Sequence, residues 1–355
     1  MSAWQTIELN RTLAMPNQGV NLNGLDARKR QLSEAIFDKV SLIGACFSDC
    51  DLTRTKFIQC DLTEADFSNA LLDHSLFVKC KMSGVRMQAS MKTHNSWVEC
   101  DLRASDWTGA QLTISSITNS NLAATIFTSA VFKRTSMLGN SYAGASLEKA
   151  ELLNCVISPA DFRAVELAGL SATGVIFTAG NFQLKSLVGV QLRQCSMQQA
   201  DLTDTNLASA NLAQCNFHQA LLVRANMVGV QAPQALFLAA QLEQVNFSDA
   251  NLSGCIFQEA QLKKCQFDRA DLKKTIWNNS QQQDVSFVAA NLHYSRFHHV
   301  CGERLDFTEA NLDASQLHNA CLINSTFLKA SRRQATSTNY TRLAEEARTL
   351  SMELA

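Results

Sequence analysis

Three histidines and two cysteines cluster near the end of the sequence, at His298, His299, Cys301, His318 and Cys321. Imidazole nitrogen and thiolate sulfur are ligands that Zn²⁺ prefers in proteins. His298 and His318 are twenty residues apart, and so are Cys301 and Cys321. If the fold repeats every twenty residues, the members of each pair stack, and the five residues form a candidate metal site.

Outside this group, the sequence shows no pattern typical of a catalytic or cofactor site. It contains no H-E-x-x-H, P-loop, G-x-G-x-x-G or C-x-x-C motif. The 31 basic and 32 acidic residues nearly balance, so composition does not favour a nucleic-acid partner. We therefore expect a protein that is not an enzyme, holds no cofactor and binds no nucleic acid.

A five-residue repeat must position the candidate residues. From Leu32 to Phe327, 60 central positions fall on numbers ending in 2 or 7, and nearly all are large and apolar. The exceptions are Lys92, Ala172, Ala232, Gln282 and Gly302. Lys92 could be buried with a shifted pKa, but we expect its ammonium to reach solvent at the end of its long side chain, or the coil to be distorted there.

Two further positions of the repeat are restricted. The residue two before the centre is small, and we expect its cysteines to fill the core as free thiols. These are Cys50, Cys60, Cys80, Cys100, Cys155, Cys195, Cys215, Cys255 and Cys265. Twelve of the 14 glycines lie two after the centre, which predicts a corner there.

A period of five fits neither a helix nor a strand, so the chain must turn once per repeat. Blocks such as Cys-Asp-Leu-Thr-Glu at 60–64 and Ala-Asn-Leu-Ala-Gln at 210–214 resemble the A(D/N)LXX motif of the bacterial pentapeptide-repeat family. The resemblance covers roughly residues 20–330. It implies an all-β fold, a right-handed quadrilateral β-helix (a solenoid) with four repeats per coil and about fifteen coils.

The ends of the chain depart from the repeat. Residues 1–19 are a candidate N-terminal cap, 20–330 the solenoid, and 331–355 a helical C-terminal element. Helical spacing relates Tyr340, Leu343, Ala344, Ala347, Leu350 and Leu354, and Asn339 could cap the helix. The helix could close the last coil or could also pair two chains as a homodimer.

One side of the expected solenoid carries more outward apolar residues than the others. Twelve of its thirty outward positions are apolar, against four, four and five on the other sides. They are Ile36, Ile58, Leu76, Val78, Val98, Leu138, Val156, Ile176, Leu236, Leu238, Ile256 and Ile276. Strand propensity alone would enrich all four sides, so this pattern predicts a partner-binding surface.

Three functions follow as hypotheses. The first is a scaffold or adaptor that binds an unidentified protein; the family resemblance suggests a bacterial secretion system, such as a type VI cluster or one of its effectors. The second, also implied by the family resemblance, is a DNA mimic that binds gyrase and protects it from quinolones, although residues 31–140 carry eleven acidic and ten basic side chains. The third is a metal-binding module. Without a signal-peptide core or membrane-spanning stretch, we expect a bacterial cytoplasmic protein, with export as an effector as the alternative.

Overall fold

The computed structural model describes residues 2–353 of the chain, with the side chains of 91 and 347–353 outside the description. It contains two compact units, Met1–Asn181 and Phe182–Ala355. The fold is the expected parallel β-solenoid, with about fifteen turns and short terminal helices. In the described part of the chain, no helix is long and apolar enough to cross a membrane.

The N-terminal unit begins with helix α1 (Ala3–Thr12), which the sequence analysis did not anticipate. Its signal was the pair Ser2 and Gln5, which form a capping box. One parallel sheet of the unit orders its strands β1 (Pro16–Gln18), β2 (Ile36–Asp38), β3 (Lys56–Ile58), β4 (Leu76–Val78), β6 (Ser96–Val98) and β8 (Ser116–Thr118). A second side carries β5 (Met91–Thr93), β7 (Gln111–Thr113), β9 (Val131–Lys133), β10 (Glu151–Leu153) and β11 (Ser171–Thr173). The segment expected as a cap therefore contains a helix and the first strand.

The C-terminal unit holds the remaining strands and the second helix. Strand β12 (Gln191–Arg193) comes first, and a five-stranded parallel sheet follows. Its strands are β13 (Gln241–Glu243), β14 (Gln261–Lys263), β15 (Gln281–Gln283), β16 (Cys301–Glu303) and β17 (Cys321–Ile323). Helix α2 (Tyr340–Glu353) ends the described chain, as the helical spacing predicted. Leu354 of that pattern lies outside the described residues.

Each coil takes twenty residues, because neighbouring strands pair with that offset. Phe37 lies opposite Phe57, and Phe57 lies opposite Phe77. Their rings stack with centroids 5.1 and 4.9 Å apart. Phe237 and Phe257 of the C-terminal unit do the same at 4.8 Å. The large central residues thus form continuous buried columns, and these columns are the core of each unit.

The corner predicted from the glycines is present. Residues two after the centre adopt positive φ, both at glycines such as Gly254 (71°) and at others such as Glu34 (65°). The amide of the following residue then closes the turn, as when Ala35 N donates to Leu32 O at 3.1 Å. This is the geometry of a type II turn, in which the third residue needs positive φ. Glycine is therefore the least strained residue there, and the fold imposes the conformation on others as well.

The nine cysteines at the small inward position are all buried, as expected. Their thiols donate to carbonyl oxygens 23 residues earlier, for example Cys60 Sγ to Phe37 O at 3.3 Å and Cys215 Sγ to Leu192 O at 2.9 Å. The Thr55 hydroxyl makes the same contact with Leu32 O at 2.9 Å. A small side chain with one donor therefore suits this position, which explains why cysteine, serine and threonine interchange there.

Lys92 contradicts its expectation, because its side chain stays inside the solenoid with 1% of its surface exposed. Its ammonium contacts the hydroxyl of Ser90, lies 3.5 Å from Met87 O and sits 4.7 Å from the centroid of the Trp107 ring. Lys92 pairs with Leu112 in the middle of a strand, and so the coil leaves its side chain no path to solvent. Burial holds the pKa of this amine well below its ordinary value.

Candidate functional site

The outward apolar residues of the N-terminal unit lie where the repeat placed them. Strand pairing aligns Ile58, Val78 and Val98 in one column on consecutive coils. A single bridge joins Val156 to Ile176, which is 41% exposed. All of these side chains point away from the stacked aromatic core, and none is fully buried. The structure therefore confirms their orientation, and their role in binding stays a prediction.

A second apolar column crosses the C-terminal unit. Bridges join Leu236 to Ile256 and Ile256 to Ile276, so the three side chains stack on adjacent coils above Phe237, Phe257 and Trp277. Leu238 flanks Phe237 on its other outward side. The column then becomes polar, because the next bridge leads from Ile276 to Arg296. We call the stack of Leu236, Ile256 and Ile276 the apolar column.

Two of the three candidate histidines meet helix α2 in the C-terminal unit. Nε2 of His299 and Nε2 of His318 each lie 3.3 Å from Oε2 of Glu346. Arg342, one turn earlier in the helix, donates to Oε1 of the same carboxylate at 2.8 Å. The hydrogen bond from Arg342 is the main cause that lowers the pKa of Glu346. Glu346 thus ties α2 to two coils of the solenoid.

Hydrogen bonds to the Nδ1 atoms determine which ring nitrogen of His299 and of His318 carries the proton. The backbone amide of Asn339 donates to Nδ1 of His318, and the side-chain amide of Asn319 lies 3.0 Å from Nδ1 of His299. Since both Nδ1 atoms accept, the proton of each neutral ring lies on Nε2. His318 donates this proton to Glu346, and Nε2 of His299 lies within ion-pair distance of the same carboxylate. Histidines that bind metals normally donate through the second nitrogen instead. The hydrogen bond at His318 therefore weighs against metal binding there, and the metal role of the histidines stays a prediction.

His298 lies beside this cluster. Its ring is 5.8 Å from that of His318, and Nε2 donates to Oε1 of Gln316 at 3.1 Å. Burial is the main cause that lowers the pKa of His298, so the ring favours its neutral form. Its hydrogen-bond partner in the structure is an amide. Its position next to His318 on the neighbouring coil follows the twenty-residue period as predicted, and the two rings meet edge-on.

The two candidate cysteines lie on a different side of the solenoid. Cys301 and Cys321 face each other on β16 and β17, and both are exposed. They line a groove of about 600 Å³ along the five-stranded sheet. Three stacked glutamines, Gln241, Gln261 and Gln281, continue the same column. The structure therefore separates the five predicted metal ligands into a histidine cluster and a cysteine pair.

The sequence pattern predicted the helix but did not connect Glu346 with the histidines. The contact of Glu346 with the histidines depends on how α2 packs against the last coils, and the repeat pattern does not predict that packing. Asn339 was the available signal, since its side chain accepts from Arg342 N at 3.1 Å and starts the helix. Its backbone amide contacts His318 at the same point.

Sequence profiles match the repeat that builds these surfaces. A profile described as "Pentapeptide repeat region" matches residues 50–127. A second, described as "Pentapeptide repeats (8 copies)", matches residues 18–54, 186–222, 200–237 and 235–274. The chain belongs to the pentapeptide repeat family. This pentapeptide-repeat protein has no match among curated proteins.

Solved pentapeptide-repeat structures resemble this protein at low identity. QnrB1, a plasmid-mediated fluoroquinolone resistance protein, is 18% identical, with 58% of this chain and 92% of QnrB1 covered and a TM-score of 0.37. HetL, a protein involved in heterocyst differentiation regulation in the cyanobacterium Nostoc, is 19% identical, with 70% and 91% covered and a TM-score of 0.25. At these values the similarities carry no argument about function.

Proposed function

We propose that this pentapeptide-repeat protein is a non-catalytic scaffold that binds a partner protein along its apolar side. The observation that carries the proposal is the apolar column, in which three large aliphatic side chains face outward on adjacent coils. Leu236 in that column is 38% exposed. A repeat surface of this kind suits extended protein contacts, because each coil adds one row of side chains to the same face. An association with a bacterial secretion system stays a prediction from the family resemblance.

The excess of outward apolar residues on this side is better explained by binding to a partner than by strand propensity. Isolated apolar residues are normal on protein surfaces, but contiguous exposed patches commonly mark interfaces. On the opposite side of the same coils, Asn246, Gln266 and Ser286 form the equivalent column. The two columns occupy the same backbone geometry, so the difference between them does not come from what the fold requires.

The surface charges favour a scaffold over a protein that binds gyrase by imitating DNA. Many exposed carboxylates pair with a cation on the neighbouring coil. Such pairs include Arg86–Asp66, Arg224–Asp204, Lys263–Glu243, Arg269–Asp249, Arg304–Asp284 and Lys329–Glu309. A DNA mimic must present unpaired negative charges that replace phosphates. Carboxylates neutralised by their neighbours make a weak substitute.

A triple substitution tests the scaffold proposal. The variant Leu236→Asp, Ile256→Asp, Ile276→Asp should keep its circular dichroism and lose its partner on co-purification from the native cells. The matched control is Asn246→Asp, Gln266→Asp, Ser286→Asp, which adds the same charge on the opposite side. We expect the control to retain the partner. A folded apolar-side variant that retains every protein bound by the wild type would overturn the proposal.

Pairing of two chains through α2 stays a second prediction. Glu346 holds the described part of this helix against the solenoid through His299 and His318. This arrangement supports the alternative in which α2 closes the last coil. Light scattering of the full chain gives the oligomeric state directly. A monomer would exclude the homodimer.

A further inference from the structure

Cys301 and Cys321 are two outward thiols on neighbouring strands of the same sheet. They are direct Cα partners in the parallel pair β16–β17, so their side chains leave the sheet on the same face. Both are exposed, unlike the nine cysteines of the core. We propose that these two thiolates form a binding site for a soft monovalent metal cation, specifically Cu(I).

The spacing of the sheet favours a bridging metal over a disulfide. Adjacent strands lie about 4.8 Å apart, and side chains in register keep roughly that separation. A disulfide holds the Cβ atoms about 3.8 Å apart, so the two side chains would have to lean toward each other to form one. Two sulfurs on opposite sides of a metal, each at a bond length near the roughly 2.3 Å of zinc–thiolate bonds, are roughly 4.6 Å apart. The strand spacing therefore matches a metal held between two sulfurs in a line.

The strand that carries Cys301 is firmly seated on the core. A Cβ at Gly302 would lie 2.7 Å from Cδ1 of Leu305 and 3.1 Å from Cδ2 of Leu322. These leucines fill the space under β16, and the backbone hydrogen bond from Cys321 N to Val300 O, at 2.9 Å, fixes the neighbouring strand. The two thiols are thus presented on a rigid surface, which lowers the cost of ordering them around an ion.

The donor set selects the metal. Among the described residues, the one group of three potential ligands within reach of one another is His299, His318 and Glu346, and it includes neither cysteine. Zn²⁺ in structural sites takes four ligands, and this pair supplies two. Cu(I) prefers soft thiolate ligands, and a pair of them suffices for linear coordination. Each thiol releases its proton to solvent as its copper–sulfur bond forms, and no electron is transferred.

Titration of the full-length protein tests this site. The protein is reduced, freed of metal and titrated anaerobically with Cu(I) against a coloured Cu(I) chelator. We expect one Cu(I) per chain to be withdrawn from the chelator. Cys301→Ser and Cys321→Ser should each weaken the competition by more than about tenfold. The matched control is Cys46→Ser, which removes an outward-facing cysteine of the N-terminal unit and should bind Cu(I) as the wild type does.

Three results would overturn the proposal. The wild type could fail to compete for Cu(I), or the double variant Cys301→Ser, Cys321→Ser could compete equally well. X-ray absorption of the copper-loaded protein could instead show three or more ligands around the metal. Circular dichroism of each variant keeps the comparison valid. Alkylation of the two exposed thiols in the native wild type offers a second route, because it blocks the site without a substitution.

Discussion

The backbone amide of Asn339 donates a hydrogen bond to Nδ1 of His318 across a distance of 3.0 Å. The residue that starts α2 therefore sets which nitrogen of a buried histidine near the end of the repeat carries the proton. His318 in turn presents its Nε2 proton to Glu346 of that helix. His318 thus contacts the start of α2 through the backbone amide of Asn339 and the second turn of the helix through the carboxylate of Glu346.

Removal of that carboxylate should release α2. We expect Glu346→Ala to raise amide hydrogen exchange throughout the helix, because the acceptor shared by His299, His318 and Arg342 is lost. Glu346→Gln should have a smaller effect, since its oxygen still accepts a hydrogen bond. Glu309→Gln, which alters a surface carboxylate paired with Lys329, serves as the control. Equal exchange in Glu346→Ala and wild type would show that other contacts hold the helix.

Lys92 should make the free energy of unfolding vary with pH in the alkaline range. Because the pKa of the buried amine is depressed, the unfolded chain binds a proton that the folded chain lacks at any pH between the two pKa values. The free energy of unfolding should therefore rise with pH until about 10.4, the ordinary pKa of lysine. Lys92→Met, of similar volume, should abolish this rise.

At neutral pH, Lys92→Met should also be more stable than the wild type. The gain is expected because the wild type must bury this amine, either charged or after losing its proton, and the methionine variant does neither. Urea unfolding between neutral pH and about pH 10 measures both effects. Lys133→Met, at an exposed position, should leave the pH dependence unchanged. A parallel pH dependence in wild type and Lys92→Met would mean that the amine is charged in the fold.

The core thiols should resist reagents and need no disulfide. Burial raises the pKa of Cys50 to about 11 and that of Cys255 to about 12, which suppresses the reactive thiolate. Native alkylation followed by mass spectrometry should label Cys46, Cys301 and Cys321, and the nine core cysteines should react after unfolding. Reductant should leave the melting temperature unchanged. A large fall in melting temperature on reduction would contradict this prediction.

Cys215 tests why that inward position accepts cysteine. Cys215→Thr should cost little stability, because Thr55 makes the same hydrogen bond in another coil. Cys215→Leu should destabilise by about 1–3 kcal/mol through overpacking. Thermal melting compares the two variants. A threonine variant as unstable as the leucine variant would show that the thiol itself is required.

Gyrase should be unaffected by this protein. The cross-coil ion pairs neutralise part of the surface carboxylates, and acidic and basic residues nearly balance, so we expect no inhibition of supercoiling and no protection from quinolones. A supercoiling assay at physiological salt measures both. Inhibition that persists at that salt concentration would establish the DNA-mimic function instead.

The sequence predicted the contacts that recur with the repeat, and it predicted few of the contacts that lie outside the repeat. The stacking of Phe37 on Phe57, the outward direction of Ile256 and the corner at Gly254 all follow from a single twenty-residue register. Lys92 was misplaced because side-chain length was taken as a route to solvent, whereas a central strand position offers none. Glu346 was not linked to the histidines because α2 leaves the register, and its packing depends on contacts outside the repeat.

The separation of the cysteines from the histidines has the same physical basis. Cys301 follows His299 by two residues, but the corner between them turns the chain onto the next side. Closeness in sequence therefore suggested one site, and the fold makes two. The twenty-residue pairs were predicted correctly, because stacking along the solenoid is independent of the side on which a residue lies.

Five-residue arithmetic also limits how this molecule can change. Because four repeats complete a coil, inserting twenty residues adds one coil and leaves every downstream column in line. Inserting five preserves the alternation of core and surface but rotates everything after it by a quarter turn. The apolar column would then be split between two sides, although each segment would still bury its central residue. Insertions of whole coils therefore preserve the alignment of the surface columns. A single added repeat changes which residues share a side and leaves the packing of the interior intact.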